Sequence, residues 1–168
     1  MARWRAAMGT ARERLLAAAS GLDAARAARR PAGGGWSPVQ ILDHLATAEG
    51  QLVRGFGKLA RGERPRVPRY KYFYRLPIAP VFWNVRYPAP RPVRPKATSE
   101  LDLGTVLTRL KEGRAAFLAV VDTVGEERFS RLILPHPVLG RFDGLDWLRF
   151  VALHETKHAC QLERSLAG

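Results

Sequence analysis

Apolar residues recur every three or four positions in four segments of the chain, and this spacing predicts four long helices. The first helix is predicted over residues 9–30, where Ala, Leu and Arg dominate and no proline occurs before Pro31. The second begins at Pro38, after a capping serine, Ser37, and is expected to extend over roughly 22 residues. Its apolar stripe consists of Ile41, Leu45, Ala48, Leu52, Phe56 and Leu59.

The third helix is predicted to begin at Thr98 or Ser99, because Glu100 and Asp102 then fall in its first turn, where the helix dipole favours acidic side chains. The fourth is predicted to start after the cap Asp143 and to extend to about residue 166. Four long helices without convincing alternating strands predict an all-α four-helix bundle, with residues 1–168 as one domain.

A long proline-rich crossover is predicted between helices 2 and 3. Residues 62–97 contain eight of the twelve prolines, and this density excludes a regular helix. The aromatic side chains of this segment are expected to pack against the helices, with a pocket lid or a dimer contact as the alternative. They are Tyr70, Tyr72, Phe73, Tyr74, Phe82 and Trp83.

The formal net charge of +13 is concentrated in residues 54–96, which hold twelve basic residues and one acidic residue, Glu63. A solvated basic surface is the simplest interpretation, and attraction of nucleic acid, anionic lipid or an acidic substrate is the alternative. Specific nucleic-acid binding is not expected, because prolines interrupt the basic stretch and no recognition helix is recognisable. The candidates for binding an acidic substrate are Arg69, Lys71, Arg75 and Arg86.

A cytoplasmic protein without a membrane segment is expected. The single cysteine, Cys160, excludes an internal disulfide framework and fits a reducing compartment, where a thiol in the core is the default interpretation. No apolar run reaches the roughly 18 to 20 residues that span a bilayer. The N-terminal region also lacks the continuous apolar stretch of a signal peptide.

Three histidines indicate a metal site. His154 and His158 are four residues apart, so their imidazoles leave the same face of the fourth predicted helix, and His44 falls on the buried stripe of the second. A divalent metal would offset the desolvation cost of clustering them, and three neutral ligands leave open coordination positions, as in catalytic sites. The alternative is that His44 is a hydrogen-bonded core residue and the other two are half-exposed.

The run HETKH at 154–158 also matches the HExxH pattern of zinc metalloproteases. Ten residues follow it without a further histidine, so a downstream third ligand is lacking and the match is interpreted as accidental. His136, between two prolines, is expected to be structural or to reach the rim of the cavity. Weaker candidates for the pocket wall, or for hydrogen bonds to the ligands, are Gln51, Trp147 and Gln161.

Two segments carry a resemblance to a known family: GWSPVQILDHL at 35–45 and LDWLRFVALHETKHACQ at 145–161, with HPVLG at 136–140 between them. They resemble the DinB-like superfamily. The resemblance implies a four-helix bundle that holds one divalent metal through a histidine on the second helix and an HxxxH pair on the last. The matching positions here are His44, His154 and His158.

Relatives within this superfamily include thiol transferases that use bacillithiol or mycothiol and a mycothiol-dependent maleylpyruvate isomerase. Other relatives are proteins induced by DNA damage, and that description implies no DNA binding. The expected function is therefore a metal-dependent thiol transferase or hydrolase, in which the metal activates a bound water or thiolate. Zn²⁺ or Ni²⁺ is the expected ion, a low-molecular-weight thiol is a candidate cofactor, and the substrate is expected to be small and, in one interpretation, anionic. A homodimer is frequent in the family. The alternative function is a non-catalytic metal-binding module of a stress response.

Overall fold

The computed structural model of the protein describes residues 1–64, 66–78 and 88–167. Within these residues four long α-helices form a bundle, which confirms the predicted fold class, and two short α-helices lie in the connections. The described residues contain no β-strand, only two isolated bridges. The helices are α1 (Ala2–Ala19), α2 (Ala24–Ala28), α3 (Pro38–Ala60), α4 (Leu103–Val124), α5 (Glu126–Arg131) and α6 (Gly144–Leu166).

Helices α3 and α6, which carry the three histidines, begin where the sequence predicts. The side chain of Gln40 accepts a hydrogen bond from the backbone N–H of Ser37 at 3.2 Å. At the start of α6, the Asp143 carboxylate accepts from the N–H of Asp146 at 2.8 Å, and the Asp146 carboxylate accepts from the N–H of Asp143 at 3.3 Å. Reciprocal capping satisfies backbone donors that have no partner inside the helix.

The predicted bounds of the other two helices are wrong. The segment predicted as one helix over residues 9–30 is divided, because Asp23 accepts a hydrogen bond from the N–H of Arg26 at 2.7 Å and starts α2 as a new helix. Residues 98–100 form a separate 3₁₀ turn, and Asp102 caps α4 by accepting from the N–H of Thr105 at 2.7 Å. Short acidic side chains stabilise a helix start better than a helix interior.

Contacts between side chains establish the directions of the helices. Asp43 and Glu49 of α3 meet Arg109 and Arg114 of α4 in the same order along both helices, so α3 and α4 are parallel. Parallel neighbours cannot be joined by a short turn. Residues 61–102 therefore lead from the C-terminal end of α3 back to the N-terminal end of α4.

The described part of this connection only partly follows the sequence prediction. Tyr72 and Tyr74 are half-buried, and the Tyr74 hydroxyl donates to the carbonyl of Val138 at 3.1 Å. Tyr70 and Phe73 are instead 60% and 83% exposed, so the expectation that they pack against the helices is wrong. The predictions for Phe82, Trp83 and Arg86 lie outside the described residues.

The core is divided into two apolar clusters by a polar layer. One cluster includes Met8, Leu52, Phe56, Phe117, Leu148 and Val151, and the other includes Leu15, Ile41, Leu42, Leu110, Ala159 and Leu162. On every long helix one charged residue lies between the two clusters. These residues are Arg12, Glu49, Arg114 and Glu155, one from each helix, and they form what we call the Arg–Glu ring.

The Arg–Glu ring satisfies its own charges. Arg12 donates to Glu49 at 2.7 Å and also to Glu155, while Arg114 donates to Glu49 at 2.5 Å and to Glu155 at 2.7 Å. Each arginine donates in addition to a backbone carbonyl of another helix. Burial alone lowers the pKa of Arg114, but the two carboxylates outweigh it and the pKa is raised. The ring therefore links all four long helices without leaving an uncompensated charge.

Candidate metal centre

The structure brings His44, His154 and His158 together, as the sequence analysis predicts. The Nε2 atom of His154 lies 3.1 Å from Nε2 of His44 and 3.1 Å from Nε2 of His158. One nitrogen from each of the three residues lies within 4.8 Å of the others. We call this group the histidine cluster. It joins α3 to α6 across the interior of the bundle.

Two acceptors orient the rings of the histidine cluster. Nδ1 of His44 lies 2.5 Å from the backbone carbonyl of Val93, and Nδ1 of His158 lies 2.9 Å from the side-chain oxygen of Gln161. Because both partners accept, both Nδ1 atoms carry the proton of the neutral ring, and the lone pair is on Nε2. Gln161 thus lies beside one of the predicted ligands, as an acceptor. No feature of the sequence points to Val93, which acts through its backbone.

Burial keeps these imidazoles neutral. Burial lowers the pKa of His44, and it lowers the pKa of His158 to about 3. The pKa of His154 is lowered by burial first and then by its neighbours in the cluster. One nitrogen from each of three neutral imidazoles thus converges on one place, and neutral imidazole is the commonest metal ligand in proteins. The donor set therefore fits a divalent metal that accepts imidazole ligands.

Aromatic rings enclose the histidine cluster. The ring of Trp36 lies 4.9 Å from that of His44 and 6.2 Å from that of His158. Phe150 stacks on His154 at 5.1 Å with an interplanar angle of 18°. The sequence analysis did not select Trp36 as a pocket residue. Its position between three glycines and the cap of α3 is the one signal that marks it.

The weaker candidates Gln51 and Trp147 occupy the wall of the cavity. Trp147 is buried, and its indole N–H donates to the carbonyl of Leu134 at 2.6 Å. Gln51 is half-buried beside residues 91–93, with its amide nitrogen 3.5 Å from the carbonyl of Pro92. Both residues line the cavity.

His136 also lines this cavity, but it is not part of the histidine cluster. Its Nδ1 accepts hydrogen bonds from the backbone N–H groups of Val138 and Leu139 at 3.1 and 3.0 Å. The ring packs against Phe150 at 4.6 Å. Burial, with a smaller effect of the Lys71 charge, lowers the pKa of His136 to about 3. The proton of this neutral imidazole therefore lies on Nε2.

Glu155, the acidic residue of the HExxH match, is held by Arg12 and Arg114 in the Arg–Glu ring. A carboxylate with two arginine partners is not free to act as the general base of a protease, so the structure supports the interpretation that the match is accidental. Cys160 is half-buried and does not belong to the histidine cluster.

The cavity has a volume of about 960 Å³, and the three histidines lie in its wall. Of the basic residues that the sequence analysis selected, Arg69, Lys71 and Arg75 lie in the described part of the chain, and none of these three lines the cavity. Arg75 pairs with Asp146 at 2.5 Å, and Lys71 donates to the carbonyl of Pro137. The expectation that Arg69, Lys71 and Arg75 receive an acidic substrate therefore does not hold for this cavity.

The described helices include none that is both long enough and apolar enough to cross a membrane. Together, the bundle and the histidine cluster define a class, a four-helix-bundle protein with a candidate three-histidine metal centre. The model of the DinB superfamily matches residues 7–162, and the chain belongs to this family.

A similar solved structure is the crystal structure of TT2238, described as a four-helix bundle protein. It is 24% identical to this chain, with a TM-score of 0.64, and the likeness covers 96% of this chain and 99% of that one. At this identity the likeness concerns the fold. No curated protein matches the chain.

Proposed function

We propose that the protein is a metal-dependent enzyme of the DinB superfamily that transfers a thiol to a small-molecule substrate. The observation that carries the proposal is the convergence of three neutral Nε2 atoms in the wall of a cavity. His44, His154 and His158 would hold the ion, for which Zn²⁺ and Ni²⁺ are our candidates. When bound, such an ion supplies a positive charge that stabilises an anionic nucleophile.

The protein's own residues would prepare the site before any ligand enters. The carbonyl of Val93 and the side chain of Gln161 hold two rings with Nε2 toward the centre. Trp36 and Phe150 cover the rings and limit access of water. Such outer partners tune both the affinity for a metal and the orientation of the ligands.

His136 is our candidate for a contact to the substrate. Its Nδ1 is occupied by two backbone donors, so Nε2–H is the group available to a ligand in the cavity. Because its pKa is about 3, the ring stays neutral at physiological pH. It would donate a hydrogen bond to an acceptor atom of the substrate and would not act as a base.

Thiol transfer fits the site better than hydrolysis does. The described residues that line the cavity include two carboxylates, Glu49 and Glu155, and arginines hold both of them. Neither is free to act as a general base, so hydrolysis would depend on the metal alone to activate water. A thiol loses its proton far more readily, near pH 8.5 in solution, and a coordinating thiol is deprotonated outright. A low-molecular-weight thiol is therefore the cofactor we propose, while homodimer formation and a cytoplasmic location stay predictions.

Elemental analysis of the purified protein tests the metal site. We expect near-stoichiometric zinc or nickel in the wild type and a more than roughly 100-fold weaker affinity in His158→Ala, since loss of an outer partner alone costs about 10- to 100-fold. Cys160→Ser is the matched control, because it changes a neighbouring residue of α6 that is outside the cluster. Two proteins that both lack metal and fail to bind added zinc or nickel would refute the proposal.

The activity is tested on the metal-loaded protein. Thiol transfer from bacillithiol, mycothiol or glutathione to 1-chloro-2,4-dinitrobenzene or monochlorobimane should depend on metal and should be lost in His158→Ala. A stoichiometric metal site without turnover across this panel would instead support the second candidate, a non-catalytic metal-binding module.

A further inference from the structure

The charges in the cavity wall are strongly unequal. Among the described residues, two carboxylates line the cavity, and both belong to the Arg–Glu ring, where Arg12 and Arg114 neutralise them. The remaining charged residues of the wall are all basic: Arg54, Lys58, Arg66, Lys157 and Arg164. The cavity outside the ring is therefore positive.

Three of these residues lie on one side of the histidine cluster. Arg54 and Lys58 are in the second half of α3, and Arg66 follows the end of that helix. In the part of the chain that the structure describes, none of the three has a carboxylate within ion-pair distance. We call these three residues the cationic arm.

The geometry of α3 sets the distance between the cationic arm and the histidine cluster. Arg54 follows His44 by ten residues, which corresponds to about 15 Å along the helix axis and a rotation of about 80° around it. Because an arginine side chain can reach back along the wall, an anion that it binds would lie on the order of 10 Å from the histidines. A single small ion cannot bridge this distance, but an elongated molecule can.

The wall between the two ends suits the body of such a molecule. It is formed by apolar side chains from α3, α6 and the connection that precedes α6, with the Nε2–H of His136 as a neutral donor among them. The apolar lining residues of this stretch are Leu52, Leu134, Pro135, Trp147 and Val151.

We infer that the cationic arm binds the anionic head group, a carboxylate or a phosphate, of an elongated small-molecule substrate whose reacting end lies at the histidine cluster. Arginine presents paired N–H donors that match both head groups, and lysine adds a positive charge. The inference rests on the proposed function for the position of the reacting end. The head-group site itself depends only on Arg54, Lys58 and Arg66.

The test uses two dyes and the metal-free, full-length protein. 8-Anilinonaphthalene-1-sulfonate carries one sulfonate, and N-phenyl-1-naphthylamine has the same aromatic body without the charge. Fluorescence titrations of both dyes are compared for the wild type, for the double variant Arg54→Gln/Lys58→Gln and for the control Arg29→Gln/Arg30→Gln. The control loses the same charge at exposed positions that do not line the cavity.

We expect the arm variant to bind the sulfonate dye about tenfold more weakly than the wild type does, while its affinity for the neutral dye is unchanged. Added NaCl should weaken the binding of the sulfonate dye and leave the binding of the neutral dye unchanged. Displacement of the sulfonate dye by succinate or by inorganic phosphate then distinguishes the two head groups.

The inference would be overturned if the arm variant and the control variant lost the same affinity for the sulfonate dye. It would also be overturned if the arm variant lost affinity equally for both dyes. Because the titration is done without metal and without turnover, its outcome is independent of the proposed function. A protein with no metal affinity could still show the head-group site, and a metal enzyme could lack it.

Discussion

The middle layer of the bundle contains two buried polar groups that are built in opposite ways. The Arg–Glu ring and the histidine cluster both draw residues from α3 and α6, and Glu155 directly follows His154. In the ring, opposite charges alternate and each arginine gives its donors to two carboxylates and a carbonyl. In the cluster, neutral rings point their Nε2 atoms at one another.

This difference separates a structural group from a ligand site. Buried polar atoms that form hydrogen bonds with each other hold helices together and leave no donor or acceptor for a ligand. Three imidazole nitrogens that converge on one place instead offer a set of ligands to a cation. Adjacent residues of α6 therefore have different tasks, because they leave the helix in directions about 100° apart.

The largest expected effect comes from breaking the Arg–Glu ring. Glu155→Gln removes a charge that two buried arginines require, and removing one partner of a buried ion pair costs about 3–5 kcal/mol. Urea unfolding of the metal-free protein, followed by circular dichroism, measures this loss in the free energy of unfolding. Glu163→Gln is the matched control on the same helix, because its pair with Arg14 is at the surface, where ion pairs contribute little to stability. Similar losses in both variants would show that the ring is not structural.

A second effect should appear only in the histidine cluster. A ligand at 100 times its dissociation constant stabilises the folded state by about 2.7 kcal/mol. We expect added Zn²⁺ or Ni²⁺ at that ratio to raise the free energy of unfolding of the wild type by this amount and that of His158→Ala by almost nothing. Each protein's own metal-free value is the reference, so any folding defect of the variant cancels. Equal stabilisation of both proteins would place the metal elsewhere.

A smaller change is expected when the outer partner of His158 is removed. Gln161→Leu keeps the size of the side chain but removes the oxygen that accepts from Nδ1 of His158. The affinity for metal should fall about 10- to 100-fold, as is typical for such partners. Competition with a chelator measures the affinity, and Gln161→Glu, which retains an acceptor, should restore most of it. An unchanged affinity in Gln161→Leu would mean that the hydrogen bond does not orient the ring.

The smallest effect is a change in the pH dependence of stability. The pKa of His136 is about 3 in the folded protein and near its ordinary value of 6.5 when unfolded, so between these values the unfolded chain binds more protons. Stability therefore falls as the pH is lowered from 6.5 toward 3, with His136 contributing up to about 1.4 kcal/mol per pH unit. His136→Asn retains an acceptor for the two backbone N–H groups but cannot titrate. Its unfolding energy, measured metal-free from pH 7 to 4, should show a shallower slope, and an identical slope would contradict this.

Local chemistry accounts for the parts of the fold that sequence reasoning predicts. Helices α3 and α6 have strong capping residues and regular apolar stripes, so both their starts and their buried faces could be predicted. The boundaries of α1 and α2 could not, because an Ala- and Arg-rich segment favours helix throughout and Asp23 can either continue a helix or cap a new one. The packing of the segment in the fold decides whether it forms one helix or two.

In the candidate site, too, some features follow from the local sequence and others depend on packing. The placement of His154 and His158 on one face follows from helical geometry, and the place of His44 on an apolar stripe indicates that it points inward. The acceptor for His44 is a backbone carbonyl 49 residues away, and the donors to His136 come from the turn that follows it. Both contacts are made by backbone groups, which every residue type has, so the amino-acid sequence does not indicate them. For a related reason the sequence could not show that Arg69, Lys71 and Arg75 lie outside the cavity wall, since only the fold shows that Arg75 is paired with Asp146.

The sequence by itself therefore determined the helices with strong caps, the inward faces of α3 and α6 and the three histidines, because these depend on interactions within one or two turns. The tertiary structure alone decided the Arg–Glu ring, the orientation of the His44 imidazole and the place of the cationic arm in the cavity wall. Each of these requires contacts between segments that are far apart in the chain. Such contacts arise from the packing of whole helices, which no local pattern of residues encodes.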